Sequence, residues 1–295
     1  HSSKSSITIV LEGKNNITSG YYSSIYVAGE VTITGDGTLS ITASDRGIRA
    51  GDVEINGTTV NIKAPSDFGI YATTDMRGSG NVTINNSNVK IESGSWGIYS
   101  GDDRPAPSGD DTGNTSISNS TVVINLTCDA NVIYAHNGGI NIDGSSVEMN
   151  KTAEGYNPPV YSSESVSISG GSEVNVHNAE KVVSIQSEAD IEIAGSTVSA
   201  DGGLYTLGTI TVSPAACTMV DIKVGPDQEH YLDSPYGEKV VFSGSEINSL
   251  YYNYVEIKPH THTGEIVWSV TSSTHKGYYD CCGTEVPEGE HVFDR

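Results

Sequence analysis

The chain is short of basic residues, cysteine and long apolar runs, and each shortage excludes something. Only 15 of its 295 residues are Lys or Arg against 37 acidic ones, a formal charge of −22. Such a surface repels phosphate backbones, so no nucleic acid partner is expected. It also disfavours anionic membranes and tolerates neutral glycans; an acidic glycan would need a bridging cation. Four cysteines, Cys128, Cys217, Cys281 and Cys282, are too sparse for a disulfide scaffold, and two of them are adjacent. No stretch approaches the ~18–20 apolar residues of a membrane span, so no membrane insertion is expected. Hydrophobic residues are 36% and charged residues 18% of the chain. Without pattern, that composition would suit disorder.

The pattern is present, as an internal repeat. Each unit reads Val-x-Ile, then Gly or Asn with Ser or Thr, then a second Val-x-Ile, a polar turn, and finally Gly-Ile-Tyr. Examples are Val53-Glu54-Ile55, Val60-Asn61-Ile62 and Gly69-Ile70-Tyr71, followed by Val82-Thr83-Ile84, Val89-Lys90-Ile91 and Gly97-Ile98-Tyr99. Weaker copies run from Ile7-Thr8-Ile9 to Ile191-Glu192-Ile193 and Leu204-Tyr205. The short strands alternate inward and outward side chains and are bounded by turn residues. One unit cannot bury its apolar face alone, and stacking joins the faces into one core. About eight such repeats predict an all-β fold: a right-handed parallel β-helix solenoid, roughly 40 Å long at ~4.8 Å per coil. Hairpin-linked sandwich strands and ~40–45-residue propeller blades fit the spacing less well. The expected organisation is a β-helix over 1–209, a β cap over 210–258, and a small His/Cys-rich tail module over 259–295. The Asn-x-Ser/Thr sequences, such as those at Asn56, Asn81, Asn85, Asn114 and Asn119, are expected as by-products of Asn- and Thr-rich coils.

The third strand of each unit yields an outward column: Tyr26, Arg49, Tyr71, Tyr99, Tyr134, Tyr161 and Tyr205. Aromatic rings aligned on one face suit sugar faces, although neighbouring rings also stabilise adjacent strands for purely structural reasons. Candidate carbohydrate-binding residues are Tyr71, Tyr99, Tyr134, Tyr161 and Arg49, with Arg77 and Arg104 able to pair with a carboxylated sugar. Asp102, Asp103, Asp110 and Asp111, in a Pro/Asp/Gly-rich insertion, offer hard oxygen ligands suited to calcium. In the tail, thiolate and imidazole suit zinc, with His262, His275, Cys282 and His291 as its candidate ligands. His136 and His177 are expected in solvated turns.

The tail run His260-Thr-His262-Thr-Gly, Trp268, Thr274-His275, Cys282-Gly283 and His291-Val-Phe resembles a short repeat of gut Firmicutes surface proteins. It departs from that repeat in having Tyr279 where a first cysteine would stand. By repeat style, residues 7–209 resemble clostridial cell-surface β-helix proteins that bind plant polysaccharides, acidic ones included, with calcium. That resemblance implies a secreted or cell-wall-attached, extracellular, monomeric protein whose partner is a polysaccharide or a host or cell-surface glycan. A structural stalk or adhesin segment is the first alternative. A polysaccharide lyase or hydrolase is the second, disfavoured because no catalytic constellation, Ser-His-Asp or Cys-His, is legible and only five arginines could supply a base. A solenoid fold alone does not imply catalysis.

Overall fold

The structure is a computed structural model describing residues 5–73, 80–101, 113–181, 183–214, 220–225, 232–236, 240–244, 246, 250, 254–260, 265–270, 275–281, 283 and 285–286. It is almost entirely β and forms a solenoid of about seven turns. Each turn contributes a first, a second and a third short strand. Asn88–Ser93 shows the arrangement of the second strands: it pairs in parallel with Thr59–Ala64 on one side and Thr121–Leu126 on the other, with Val60, Val89 and Val122 in register. Eight second strands stack in this way, from Lys14–Ser19 to Thr197–Ala200.

Alternation along each strand converts the repeat into aliphatic ladders. Ile33, Ile55, Ile84, Ile117, Ile142, Ile168 and Ile193 line the first-strand column, all essentially inaccessible to water. Ile41, Ile62, Ile91, Ile124, Met149 and Val176 line the second, and Ile48, Ile70, Ile98, Ile133, Val160 and Ile185 the third. Burying such a side chain contributes about 1.5–3 kcal/mol, which no single coil could collect alone.

The Gly/Asn-Ser/Thr pair between first and second strands has a specific use. Gly57, Asn86, Asn119, Gly144, Gly171 and Gly195 all have positive φ, a conformation that Gly tolerates freely and Asn better than most. The next residue aims its hydroxyl inward and accepts the N–H of its counterpart one turn back: Thr58 to Ser87 at 3.2 Å, Ser87 to Ser120 at 3.0 Å, then Ser120 to Ser145, Ser145 to Ser172 and Ser172 to Ser196, each at 3.1 Å. The tight corner thereby satisfies buried donors that would otherwise be costly. The same grammar writes the sequons at Asn56, Asn85 and Asn119. Asn81 and Asn114 are also structural: each carboxamide oxygen accepts a backbone N–H of the next turn, at 2.8 and 2.9 Å.

The glycine of Gly-Ile-Tyr is required by space. A Cβ on Gly97 would fall 2.5 Å from both the Val132 carbonyl oxygen and Ile124 Cγ2, and Gly47 and Gly69 are equally crowded. Thr209–Ser213 is still parallel to Ile191–Ala194, after which pairing turns antiparallel. Val240–Ser243 pairs with Thr209–Ser213, while Tyr254–Pro259 lies between Thr197–Ala200 and Val220–Gly225. Ile266–Val270 and His275–Tyr279 form a separate two-stranded hairpin. Among the described residues no helix is long and apolar enough to cross a membrane.

Candidate functional site

The outward column of the third strands is in register from Tyr26 through Arg49, Tyr71, Tyr99 and Tyr134 to Tyr161. Gln186 comes next and separates Tyr161 from Tyr205. Val183–Ser187 is a third strand that the Gly-Ile-Tyr pattern does not mark, because Gln186 takes the tyrosine position and Ser184 that of the glycine.

A second column flanks the first. Arg46, Phe68 and Trp96 occupy the residue before the crowded glycine, and Gly47 and Gly69 donate to the carbonyls of Phe68 and Trp96, each at 3.0 Å. None of the three was singled out from the sequence, although the signal was present in Arg-Gly-Ile-Arg, Phe-Gly-Ile-Tyr and Trp-Gly-Ile-Tyr. The strand spacing of ~4.8 Å brings equivalent rings to stacking distance. Tyr99 stacks on Tyr134 at 4.9 Å between centroids and Tyr134 on Tyr161 at 5.0 Å, with planes 24° and 11° apart. Phe68 stacks on Trp96 at 4.8 Å and on Tyr71 at 4.5 Å. The two stacks meet edge to face at Tyr99, 5.1 Å from Tyr71 and 5.6 Å from Phe68.

This packing corrects the expected row of open ring faces. Tyr99 points away from the core yet is only 7% exposed, because its neighbours' rings lie against it. Much of the ring-face area is spent on other rings, leaving edges and hydroxyl tips. Open aromatic surface lies at the N-terminal end of the column, where Tyr26 is 59%, Tyr22 79% and Tyr21 85% exposed, and in the turn before Val160–Ser162, where Tyr156 is 91% exposed. Tyr21 and Tyr22 lie in a turn outside the strand repeat, so the repeat pattern does not mark them.

Two guanidinium groups gather at that end. Arg46 lies 5.5 Å from the centroids of both Phe68 and Tyr71; Arg49 lies 5.5 Å from Tyr71 and 5.6 Å from Tyr26. Cation–π attraction holds such groups in place. Arg46 Nε donates to Asp67 Oδ2 at 2.9 Å. Burial, aided by a hydrogen bond with Asp45 and opposed by Arg46, pushes the Asp67 carboxyl up to about 6.

Acidic groups after the column have partners within the protein. Asp52 Oδ1 accepts the Asn81 N–H at 3.0 Å. The Tyr161 hydroxyl donates to Glu188, and burial together with that carboxylate raises the phenol above its usual range. The expected calcium ligands Asp102, Asp103, Asp110 and Asp111, and the cations Arg77 and Arg104, lie outside the described residues. So do His262, Cys282, His291 and the side chain of His275.

Of the two histidines expected in solvated turns, His136 is in a turn and His177 is solvent-exposed, but neither meets both parts of the expectation. His177 is in a strand and contacts Asp201 at 2.9 Å; His136 is half-buried and stacked on Tyr134 at 5.9 Å. A Cys-His contact, not legible in the sequence, joins Cys281 and His260. On the second-strand face, a shallow depression of about 360 Å³ is lined by Lys63, Pro65, Glu92, Ser93, Asn125 and Thr127, none of them aromatic.

Residues 2–209 match the family described as carbohydrate-binding domain-containing protein, and the chain belongs to that family. No curated protein and no solved structure matches it.

Proposed function

We propose that the chain is a non-catalytic polysaccharide-binding module whose contact surface is the aromatic ridge of the third strands. Membership of a carbohydrate-binding family supports the class of partner. The observation that carries the choice of surface is the column of rings from Tyr71 to Tyr161, continued through Arg49 to exposed Tyr26, with Arg46 beside Tyr71 and exposed Tyr21 and Tyr22 in the turn before Tyr26. A rigid stack fixes the register of hydroxyls and guanidinium groups before any ligand arrives, which lowers the ordering cost of binding a repetitive polymer. Open tyrosine faces take the apolar face of a sugar, and Arg donors take its oxygens. In this reading the protein acts outside the cell, secreted or wall-attached, as a monomer, and calcium assists where the polymer is acidic.

Electrophoresis through native gels cast with a soluble cellulose derivative or polygalacturonate, with calcium or EDTA, tests the reading. Retardation with intact polymer is expected, weakened at least several-fold by Tyr26→Ala. Unchanged mobility on every polymer would favour a stalk or adhesin segment. Shortened polymer would show catalysis and overturn the non-catalytic part.

A further inference from the structure

The end of the chain brings three chemically matched groups together from three elements. Asp221 lies on Val220–Gly225, His260 directly follows Tyr254–Pro259, and Cys281 follows His275–Tyr279. His260 is 8% exposed, and its Nδ1 is 2.7 Å from Asp221 Oδ1. Its Nε2 is 3.5 Å from Cys281 Sγ. In the tautomer that donates Nδ1–H to Asp221, the Nε2 lone pair lies on the side of the sulfur.

We propose that Cys281 Sγ and His260 Nε2 are ligands of a zinc ion that staples the terminal hairpin to the end of the solenoid, with Asp221 as the positioning residue. Zn–S and Zn–N bonds of about 2.3 and 2.0–2.1 Å, set at the tetrahedral angle, place sulfur and nitrogen about 3.5 Å apart. A metal-ligating histidine characteristically donates its other N–H to a carboxylate, which fixes ring and tautomer. The sulfur selects a soft or borderline cation over calcium or magnesium. Among the described residues no group of three or more His, Cys, Asp or Glu is placed to hold a metal, so they supply two of the four ligands that a structural zinc takes.

The hairpin supplies an independent argument. Among the described residues, Ile266–Val270 and His275–Tyr279 pair as strands only with each other, and Ile266, Val267 and Trp268 are 37%, 56% and 55% exposed. A lone two-stranded hairpin is marginal in water, so a cross-link to the last β-layer is what such a segment needs.

A Cys–His–Asp nucleophile would share part of this geometry. It would also need donors for a developing oxyanion. The nearby Gly283 N–H is already committed to the Tyr279 carbonyl at 2.7 Å.

The full chain, purified without chelator, is expected to carry one zinc per chain by mass spectrometry of metals. Cobalt loading should give a thiolate-to-cobalt charge-transfer band in the wild-type chain, which needs no variant to fold. Cys281→Ser should abolish that band and the zinc, with the solenoid's circular dichroism retained. Asp221→Asn should weaken zinc about 10–100-fold in competition with a chromophoric chelator. Zinc should also slow iodoacetamide labelling of Cys281, read by peptide mass spectrometry. Wild-type chain that takes up neither zinc nor cobalt would overturn the site. So would Cys281→Ser with unchanged stoichiometry and affinity, or Cys281 labelling that is equally fast with and without zinc and accompanied by turnover of an activated ester.

Discussion

Tyr99 and Tyr26 occupy the same column but are predicted to fail differently when truncated. Tyr99 is 7% exposed and touches Phe68, Tyr71, Trp96 and Tyr134 at centroid distances of 5.6, 5.1, 6.0 and 4.9 Å. Replacing a buried ring of this size by Ala costs about 3–5 kcal/mol from lost transfer energy and the cavity left behind. Each aromatic pair accounts for about 0.5–1.5 kcal/mol of such a loss. Tyr26 is 59% exposed, with the Arg49 guanidinium 5.6 Å from its ring centroid, so Tyr26→Ala should cost no more than about 1 kcal/mol. Urea melts followed by tyrosine fluorescence and far-ultraviolet circular dichroism give the two midpoints, and affinity gels give the two binding losses. Tyr99→Ala should lower the midpoint sharply, and Tyr26→Ala should leave it nearly unchanged while weakening retention. Equal midpoint shifts would refute the assignment of Tyr99 to structure and Tyr26 to contact. Because solenoid coils contact mainly their neighbours, Tyr99→Ala is also expected to split the melt into two phases.

Gly97→Ala should destabilise the chain by several kcal/mol or prevent folding, since its Cβ would meet the Val132 carbonyl oxygen at 2.5 Å; a wild-type urea midpoint would contradict the crowding argument. Asp129→Ala should cost about 3 kcal/mol, because the fully buried Lys151 Nζ, 2.7 Å from Asp129 Oδ1, would lose its counter-charge; adding Lys151→Met should recover most of the loss. Burial alone would raise the Asp129 carboxyl, but Lys151 and Asn157 outweigh it and hold it low. That contribution is therefore present at neutral pH and lost only as pH falls below about 4. Asp67 has the opposite sign: with its folded value near 6, the folded chain holds a proton that the unfolded chain has released, so stability should fall as pH rises from about 4 to 6. In Asp67→Asn that slope should vanish, and a slope unchanged from wild type in thermal melts would remove Asp67 as its source.

What could be read from the sequence divides along the range of the interaction involved. Val-x-Ile and Gly-Ile-Tyr state strand direction, inward face and repeat length within a few residues, so the ladders of Ile84 and Ile98 followed directly. The column Tyr71–Tyr99–Tyr134–Tyr161 followed too, because equal position in a repeat becomes adjacency once parallel register is assumed. Whether those rings offer faces or edges did not follow, since it depends on contacts outside the column, such as those of Phe68 and Trp96 with Tyr71 and Tyr99. Lys151 shows the limit most clearly. It occupies an inward position held in other coils by Ala43, Ala64, Ser93, Leu126 and Asn178, and the turn that carries Asp129 one coil back makes a charge there tolerable.

The aromatic ridge and the terminal cluster place opposite demands on the same architecture. Along the solenoid, each side chain meets its own counterpart one turn away, so a surface feature is extended by repetition and suits a repetitive ligand. At the C-terminal end, antiparallel strands break the register, and unlike residues far apart in sequence meet: Asp221, His260 and Cys281 span sixty residues and share no repeat position. A site needing unlike ligands around one atom can form only where repetition stops. Aromatic binding and metal ligation should therefore be separable by mutation. Tyr26→Ala should leave zinc content untouched and Cys281→Ser should leave polymer retention intact, because no coil between the two sites contributes to both.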